Sequence, residues 1–346
     1  MNTFWQFLNE QYPESFISND RYWNVGSTDT NVDQDCTISA LSQYGFLAIT
    51  GPDGSKFLQG QTTCDWRNVD VDNATLGSYC NIKGRMVISF LGGTLKNEEI
   101  LLRLHADTAD SGCETLAKYI VFSKAKIKNA TDEYVALGIS GKKAKELLLE
   151  QLGMAPTAAM KQVTNGQAII VQLDDDGERF ECWATAETAT ELWRQLGTTA
   201  TTIDSTHWEA QNIQAGLGEI RASTQDTFIP QMLNYQLIGG VSFTKGCYTG
   251  QEVVARMQYR GKLKRRLYRA KLPLNGSFPY SAGADIFSDN SSQSVGNLVS
   301  ASHSAQEINL LAVITEEAVA LNKLHFANDS THLLIEDLPY LSTASE

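Results

Sequence analysis

Two stretches of this chain repeat one pattern. "EYVALGISGKKAKELLLEQLG" (residues 133–153) and "RFECWATAETATELWRQLG" (179–197) each read as a strand, a polar cap, a helix and a closing glycine. A further strand, "QAIIVQL", lies between them. Strand–helix units arranged this way bury their apolar faces together in an antiparallel α+β layer, and the order predicts a ferredoxin-like unit over about 130–200.

Around that unit the texture changes. "GFLAIT" reads as a strand closed by the turn "GPDG", with Asp53 placed to cap a short helix bearing Phe57 and Leu58. "LGSYCNIKGRMVISFLGG" reads as a hairpin turning at Lys83–Gly84. Ser111 and Glu114 have capping-box spacing ahead of a helix carrying Leu116, Tyr119 and Ile120. "STHWEAQNIQAGLG" is expected to be a helix capped at Ser205 or Thr206 and stopped at Gly216 or Gly218. The polar stretch from Gly26 to Asp35 reads as a loop. From Lys262 onward, short alternating runs broken by Gly, Ser and Asn turns predict a small β-barrel.

With 346 residues, the chain is long enough for two or three structural units. A hydrophobic content of 42% with 20% charged residues is that of a folded globular chain. No apolar run is long enough to span a bilayer, and the first twenty residues lack a basic start and a small-residue cleavage site. The expected location is the cytoplasm, with no membrane partner. A net charge of −12 disfavours general binding to nucleic acid. The exception is a run from Arg260 to Lys271 with seven basic residues and no acid. It reads as a solvated strand with Leu263, Leu267 and Leu272 inward, as a dock for an acidic small-molecule tail, or as an RNA contact. The RNA reading is the weakest, because the remainder of the chain is strongly acidic. The six cysteines form no CxxC and the histidines no HxxxH pair, so no resident metal site is expected. "FLQGQTTCD" lacks the ending of a phosphate-binding loop and reads as a capped turn.

The densest chemistry lies in "KGCYTGQEVVARMQYRG", Lys245 to Gly261. Thr249 and Gly250 are acceptable caps for a helix with Val253, Val254 and Met257 on one stripe. Cys247 would then precede a helix N-terminus, and Lys245 together with the helix dipole would favour its thiolate. On local physics alone Cys247 reads more readily as a small buried hydrophobe, the usual fate of a free cysteine. No histidine stands near it in sequence, so a papain-type hydrolase is disfavoured.

This stretch resembles the "KGCYxGQE" signature of the YgfZ family, folate-binding proteins linked to iron–sulfur enzyme maintenance and tRNA modification and related to the T-protein (aminomethyltransferase) of glycine cleavage. The likeness extends through "FLQGQTTCD", "NIKGRM", "KYIVFSKAKI", "NIQAGL", "FIPQMLN" and "GGVSFTKGCYTGQE", from about Leu41 to Pro339. It implies a T-protein-like multi-domain α+β ring around a central opening, divided into an N-terminal extension (1–30), a folate-binding region (31–261) and the C-terminal β-barrel (262–346). It also implies tetrahydrofolate or a derivative as ligand, and iron–sulfur proteins or their assembly factors as partners, with direct nucleic-acid binding disfavoured.

Residue by residue, the resemblance puts folate contacts on Trp208, which matches, and on Tyr44, where the family has tryptophan. A tyrosine still stacks, with less area. Gln214 stands in "QAG" where the T-protein has a carboxylate in "EAG", and one acceptor replaces two. Gly246, Tyr248, Gly250, Gln251 and Glu252 complete the motif around Cys247 and Lys245. The T-protein's catalytic aspartate falls near Ile88 and Ser89, neither of them acidic, which disfavours ordinary aminomethyl transfer. The resemblance therefore implies an accessory factor with a functional thiol at Cys247 more than a one-carbon transferase.

Overall fold

The computed structural model describes residues 2–13, 16–18, 22–24, 35–96, 98–274, 278–303, 306–327 and 331–342. The Gly26 to Asp35 stretch, except Asp35, lies outside them, as does much of the 1–30 extension. The chain divides into two compact units, one of Met1–Leu76 with Phe90–Trp208, the other of Gly77–Ser89 with Glu209–Glu346.

The first unit holds the repeated pattern. Strand Tyr134–Ser140 leads to helix Ala144–Leu152, and strand Arg179–Thr185 leads to helix Ala186–Leu196. The Thr185 side chain accepts from the Thr188 N–H and so caps the second helix. These strands lie in a six-stranded sheet ordered Gln162–Thr164, Ala168–Gln172, Arg179–Thr185, Tyr134–Ser140, Thr37–Ala40, Thr201–Thr202. Every pairing is antiparallel except the last, which is parallel. The sheet is ferredoxin-like with two additions, the edge strand Gln162–Thr164 and Thr37–Ala40. Thr37–Ala40 sits between Tyr134–Ser140 and Thr201–Thr202, although it lies far upstream in sequence. All four of its residues are buried, and at four residues, Thr-Ile-Ser-Ala, it is too short for its alternation to stand out.

One face of this sheet packs on the two helices and on Phe4 and Leu8 of helix Thr3–Gln11. A second sheet, of five strands, is ordered Thr75–Cys80, Met86–Lys96, Glu99–His105, Tyr44–Thr50, Lys126–Asn129. Phe46, Leu101, Tyr134 and Trp183, from strands of both sheets, form an apolar cluster with Trp208 of helix Ser205–Gln214. A buried ion pair is set beside it. Arg103 Nε lies 2.9 Å from Glu181 Oε2, and both side chains are 1% exposed. Trp183 Nε1 donates to the same carboxylate oxygen at 2.8 Å.

The second unit contains an antiparallel six-stranded sheet ordered Leu324–Phe326, Asp285–Ser288, Ser291–His303, Glu307–Thr315, Arg265–Pro273, Leu334–Glu336. The expected barrel is a curled open sheet. Leu333 N–H donates to the Leu324 carbonyl near the two edges, but among the described residues no ladder closes it.

Three helix starts differ from expectation for local reasons. Helix Ala109–Ile120 is entered directly from the 3-10 turn Ala106–Thr108, so Ser111 lies inside it and donates to the Thr108 carbonyl instead of capping. Helix Ser205–Gln214 is capped by Asp204, whose carboxylate accepts from the Thr206 N–H at 2.6 Å. Asp53 precedes helix Gly54–Gln61, but its carboxylate accepts from Lys124 N–H. Among the described residues no helix is long and apolar enough to cross a membrane, and no cluster of metal-ligating side chains occurs.

Removing Arg103 would leave Glu181 buried with Trp183 as its remaining partner of those described above. Arg103→Ala is expected to lower unfolding stability by about 3–5 kcal/mol in urea titrations. The double variant Arg103→Met/Glu181→Leu, which removes both charges, should lose much less. Equal losses would contradict the desolvation argument.

Candidate functional site

The loop ahead of helix Gln251–Arg260 alternates between burial and exposure. Lys245 and Tyr248 are buried, at 5% and 7%, while Gly246 and Cys247 between them are exposed. The Lys245 ammonium lies 5.2 Å from the centroid of the Tyr248 ring. The Ser242 hydroxyl accepts from the Lys245 N–H at 3.2 Å, and the Tyr248 carbonyl accepts from the Gln251 N–H at 3.2 Å. The two buried side chains thus anchor the loop and hold the thiol outward. Of the six cysteines, Cys247 is the exposed one. Burial pushes the Cys36 thiol to about 11, and those of Cys80 and Cys182 to about 12.

A second segment fixes this loop. At the tip of the "NIKGRM" hairpin, Asn81 Oδ1 accepts from the N–H groups of Lys83 and Arg85, and its Nδ2 donates to Asp226. Gly84 has φ +68°, and a Cβ there would stand 2.9 Å from Val253 Cβ. Gly250 has φ +81°, and a Cβ there would stand 2.4 Å from the Asn81 carbonyl oxygen and 3.1 Å from Gly84 Cα. Each glycine therefore supplies a left-handed backbone and also the room the other segment occupies. Because Val253 meets Gly84, it leaves the expected apolar stripe and is 37% exposed, while Val254 is buried. Gln231 Nε2 donates to the Val254 carbonyl at 2.7 Å and ties the helix down. Gln251 is half-buried and Glu252 exposed.

Tyr44 and Trp208 lie in one apolar cluster of the first unit. Neither offers an open ring: Tyr44 is 5% exposed and Trp208 fully buried. The Arg103 guanidinium lies 3.9 Å from the Tyr44 centroid, and that of Arg179 4.8 Å from the Trp208 ring. Trp208 also lies against Gly138, where a Cβ would come within 2.5 Å of the ring. Trp208 Nε1 is buried without a hydrogen-bond partner. On the same helix, burial and then the Arg179 charge hold the His207 imidazole below its usual range. Gln214 ends that helix with its side chain exposed, and its carbonyl accepts from Arg269 Nη1 at 3.2 Å.

Ile88 and Ser89 are buried, and Ser89 Oγ accepts from the Ile220 N–H. Three of the seven charges of the basic run are neutralised by nearby acids. Arg266 pairs with Glu316, Arg269 with Glu336, and Lys271 with both Glu307 and Glu336. Leu267 and Leu272 point inward as expected. Sequence reasoning missed Arg103, Arg179 and Glu181 altogether. It quoted "NIKGRM" without pairing it to the cysteine loop, although a glycine after a hairpin lysine was a signal for a left-handed turn.

The chain belongs to the GCVT family: the family model described as GCVT N-terminal domain matches residues 3–213. The fold is that of the glycine cleavage system aminomethyltransferase T from Bartonella henselae, with a TM-score of 0.73 at 14% identity over 98% of both chains. Within that family the chain is a member of the YgfZ group. It is 34% identical over 312 residues to the tRNA-modifying protein YgfZ of Klebsiella pneumoniae (strain 342), covering 88% of this chain and 93% of that one. It is 37% identical over 250 residues to the protein of the same name from Yersinia pestis (strain Pestoides F), covering 72% and 74%.

Two predictions follow from the site's geometry. Gly250→Ala should lower stability by about 2 kcal/mol or more, since strain and overpacking add, and Gly60→Ala, where the space is open, should be near neutral in the same melts. The second concerns Asp204, whose Oδ2 is buried without a partner. Burial raises its carboxyl above the ordinary 3.8, so its contribution to stability is full below that value and is lost as pH rises through the folded value. Asp204→Asn, which can still cap the helix, should therefore raise the melting temperature at pH 7, and the gain should vanish below about pH 4.

Proposed function

We propose that this chain is a cytoplasmic tetrahydrofolate-binding accessory factor that supports the assembly or repair of iron–sulfur proteins, and through them tRNA modification, with Cys247 as its working thiol. The observation that carries the thiol assignment is the presentation of Cys247: exposed, between two buried anchors, on a loop locked by Gly84 and Gly250. A cysteine serving only as packing would be buried, as Cys80 and Cys182 are. Lys245 supplies a fixed positive charge beneath the loop, and Gly246, Tyr248, Gly250, Gln251 and Glu252 set its shape.

Family membership and the aminomethyltransferase fold support a folate ligand. In this reading Gln214 meets the pterin through its exposed carboxamide, and Tyr44 and Trp208 frame the site as fixed walls. Their faces are occupied by Arg103 and Arg179, so they position neighbouring groups more than they stack. Folate-dependent one-carbon transfer is the less supported reading. The positions near Ile88 and Ser89 offer no carboxylate, and both side chains are buried.

Anaerobic calorimetry with tetrahydrofolate should show saturable binding that tightens in Gln214→Glu, because a charge-assisted pair is roughly twice as strong as a neutral one. Absence of binding in the wild type would overturn the folate reading. In cells lacking the chromosomal copy, Cys247→Ala should fold normally yet fail to restore iron–sulfur enzyme activity. Full restoration would overturn the thiol.

A further inference from the structure

The end of helix Ala109–Ile120 and the turn after it present an arrangement that the reading above does not use. Tyr119 is 46% exposed, Val121 69% and Phe122 94%, all within "KYIVFSK". Full exposure of a phenylalanine is costly in water, and the segment holding it is anchored at both sides. Ile120 is buried at 6%, and the Ser123 N–H donates to its carbonyl. Lys124 is bonded in both directions to Asp53: its N–H donates to the Asp53 carboxylate at 2.8 Å, and its carbonyl accepts from the Asp53 N–H. Strand Lys126–Asn129 then pairs along Tyr44–Thr50 at the edge of its sheet. The aromatic tip is thus held out by a fixed backbone.

Charge surrounds it. Lys118, Lys124 and Lys126 are exposed, and none has an ion-pair partner among the described residues. Three nearby acids are engaged elsewhere, and a fourth, Glu114, stands exposed one turn before Lys118. Asp53 holds Lys124 N–H, Asp110 holds Asn129 Nδ2, and Glu133 holds Lys128. Two kinds of partner fit an aromatic tip among lysines, and the composition separates them. Protein interfaces favour aromatics with arginine and are depleted in lysine. Single-stranded nucleic acid is held by aromatic faces that stack on bases beside cations that meet phosphates.

We propose that the Lys118–Lys126 knuckle docks a single-stranded or looped RNA segment, with Phe122 and Tyr119 as stacking surfaces and Lys118, Lys124 and Lys126 on the phosphates. The site is distinct in sequence from the Arg260–Lys271 run, three of whose seven charges are ion-paired. It does not depend on folate binding or on Cys247, and it stands or falls on its own measurement.

The test is fluorescence anisotropy of a labelled twelve-nucleotide oligouridine, and of a deproteinised tRNA mixture, against the full chain. Wild type should bind saturably at low salt. Phe122→Ala, which touches no core, should weaken binding by roughly five- to a hundredfold. The triple variant Lys118→Gln/Lys124→Gln/Lys126→Gln should reduce the slope of log affinity against log salt by about 2. Absence of RNA binding at low salt, or unchanged affinity in both variants, would overturn the proposal. Equal competition by poly-L-glutamate with no loss in Phe122→Ala would also overturn it, and would assign the lysines to an acidic peptide.

Discussion

The contact between Gly84 and Gly250 is the constraint on which the functional surface of the second unit depends. Two segments far apart in sequence meet where each lacks a side chain, and each adopts a left-handed backbone there. The meeting fixes the start of helix Gln251–Arg260, and so the path of the loop carrying Cys247. Lys245 and Tyr248 complete the anchoring from the other side. An exposed thiol on an exposed loop would ordinarily be a mobile one. Here the loop is held at both ends, which suits a group that must meet a partner in one geometry.

The first unit solves a different problem. Its core buries Glu181 against Arg103 and Trp183, close to the rings of Tyr44 and Trp208. Buried charges of this kind add little net stability but penalise every arrangement that separates them. The guanidinium groups of Arg103 and Arg179 thereby become fixed positive charges lying over aromatic faces. Under the proposed folate reading, Tyr44 and Trp208 would therefore serve as walls more than as stacking faces.

Much of the architecture was legible because periodicity reports burial. The two strand–helix repeats, the hairpin turning at Gly84 and the helix after Gly250 all lie where pattern and turn chemistry put them. Thr37–Ala40 was not legible, since four residues are too few for alternation to mark a strand. Asp204 was passed over in favour of Ser205 because both residue types cap equally well and only hydrogen-bond geometry chooses between them. In the candidate site, the cysteine motif was readable as chemistry, but whether Cys247 was exposed was not. Nor was the pairing of the motif with "NIKGRM", because local sequence does not encode which distant segment fills a missing Cβ. The C-terminal strands were readable and their closure was not, since closure depends on edges that meet outside any local pattern.

Among the six cysteines the fold leaves Cys247 open to solvent. A brief iodoacetamide pulse on the native protein, followed by mass spectrometry of the cysteine peptides, measures this exposure. Rapid labelling of Cys247 is expected, with slower labelling of the half-buried Cys113 and protection of Cys36, Cys64, Cys80 and Cys182 until the protein is unfolded. Protection of Cys247 in the native protein, or labelling of the buried thiols at the same rate, would contradict it.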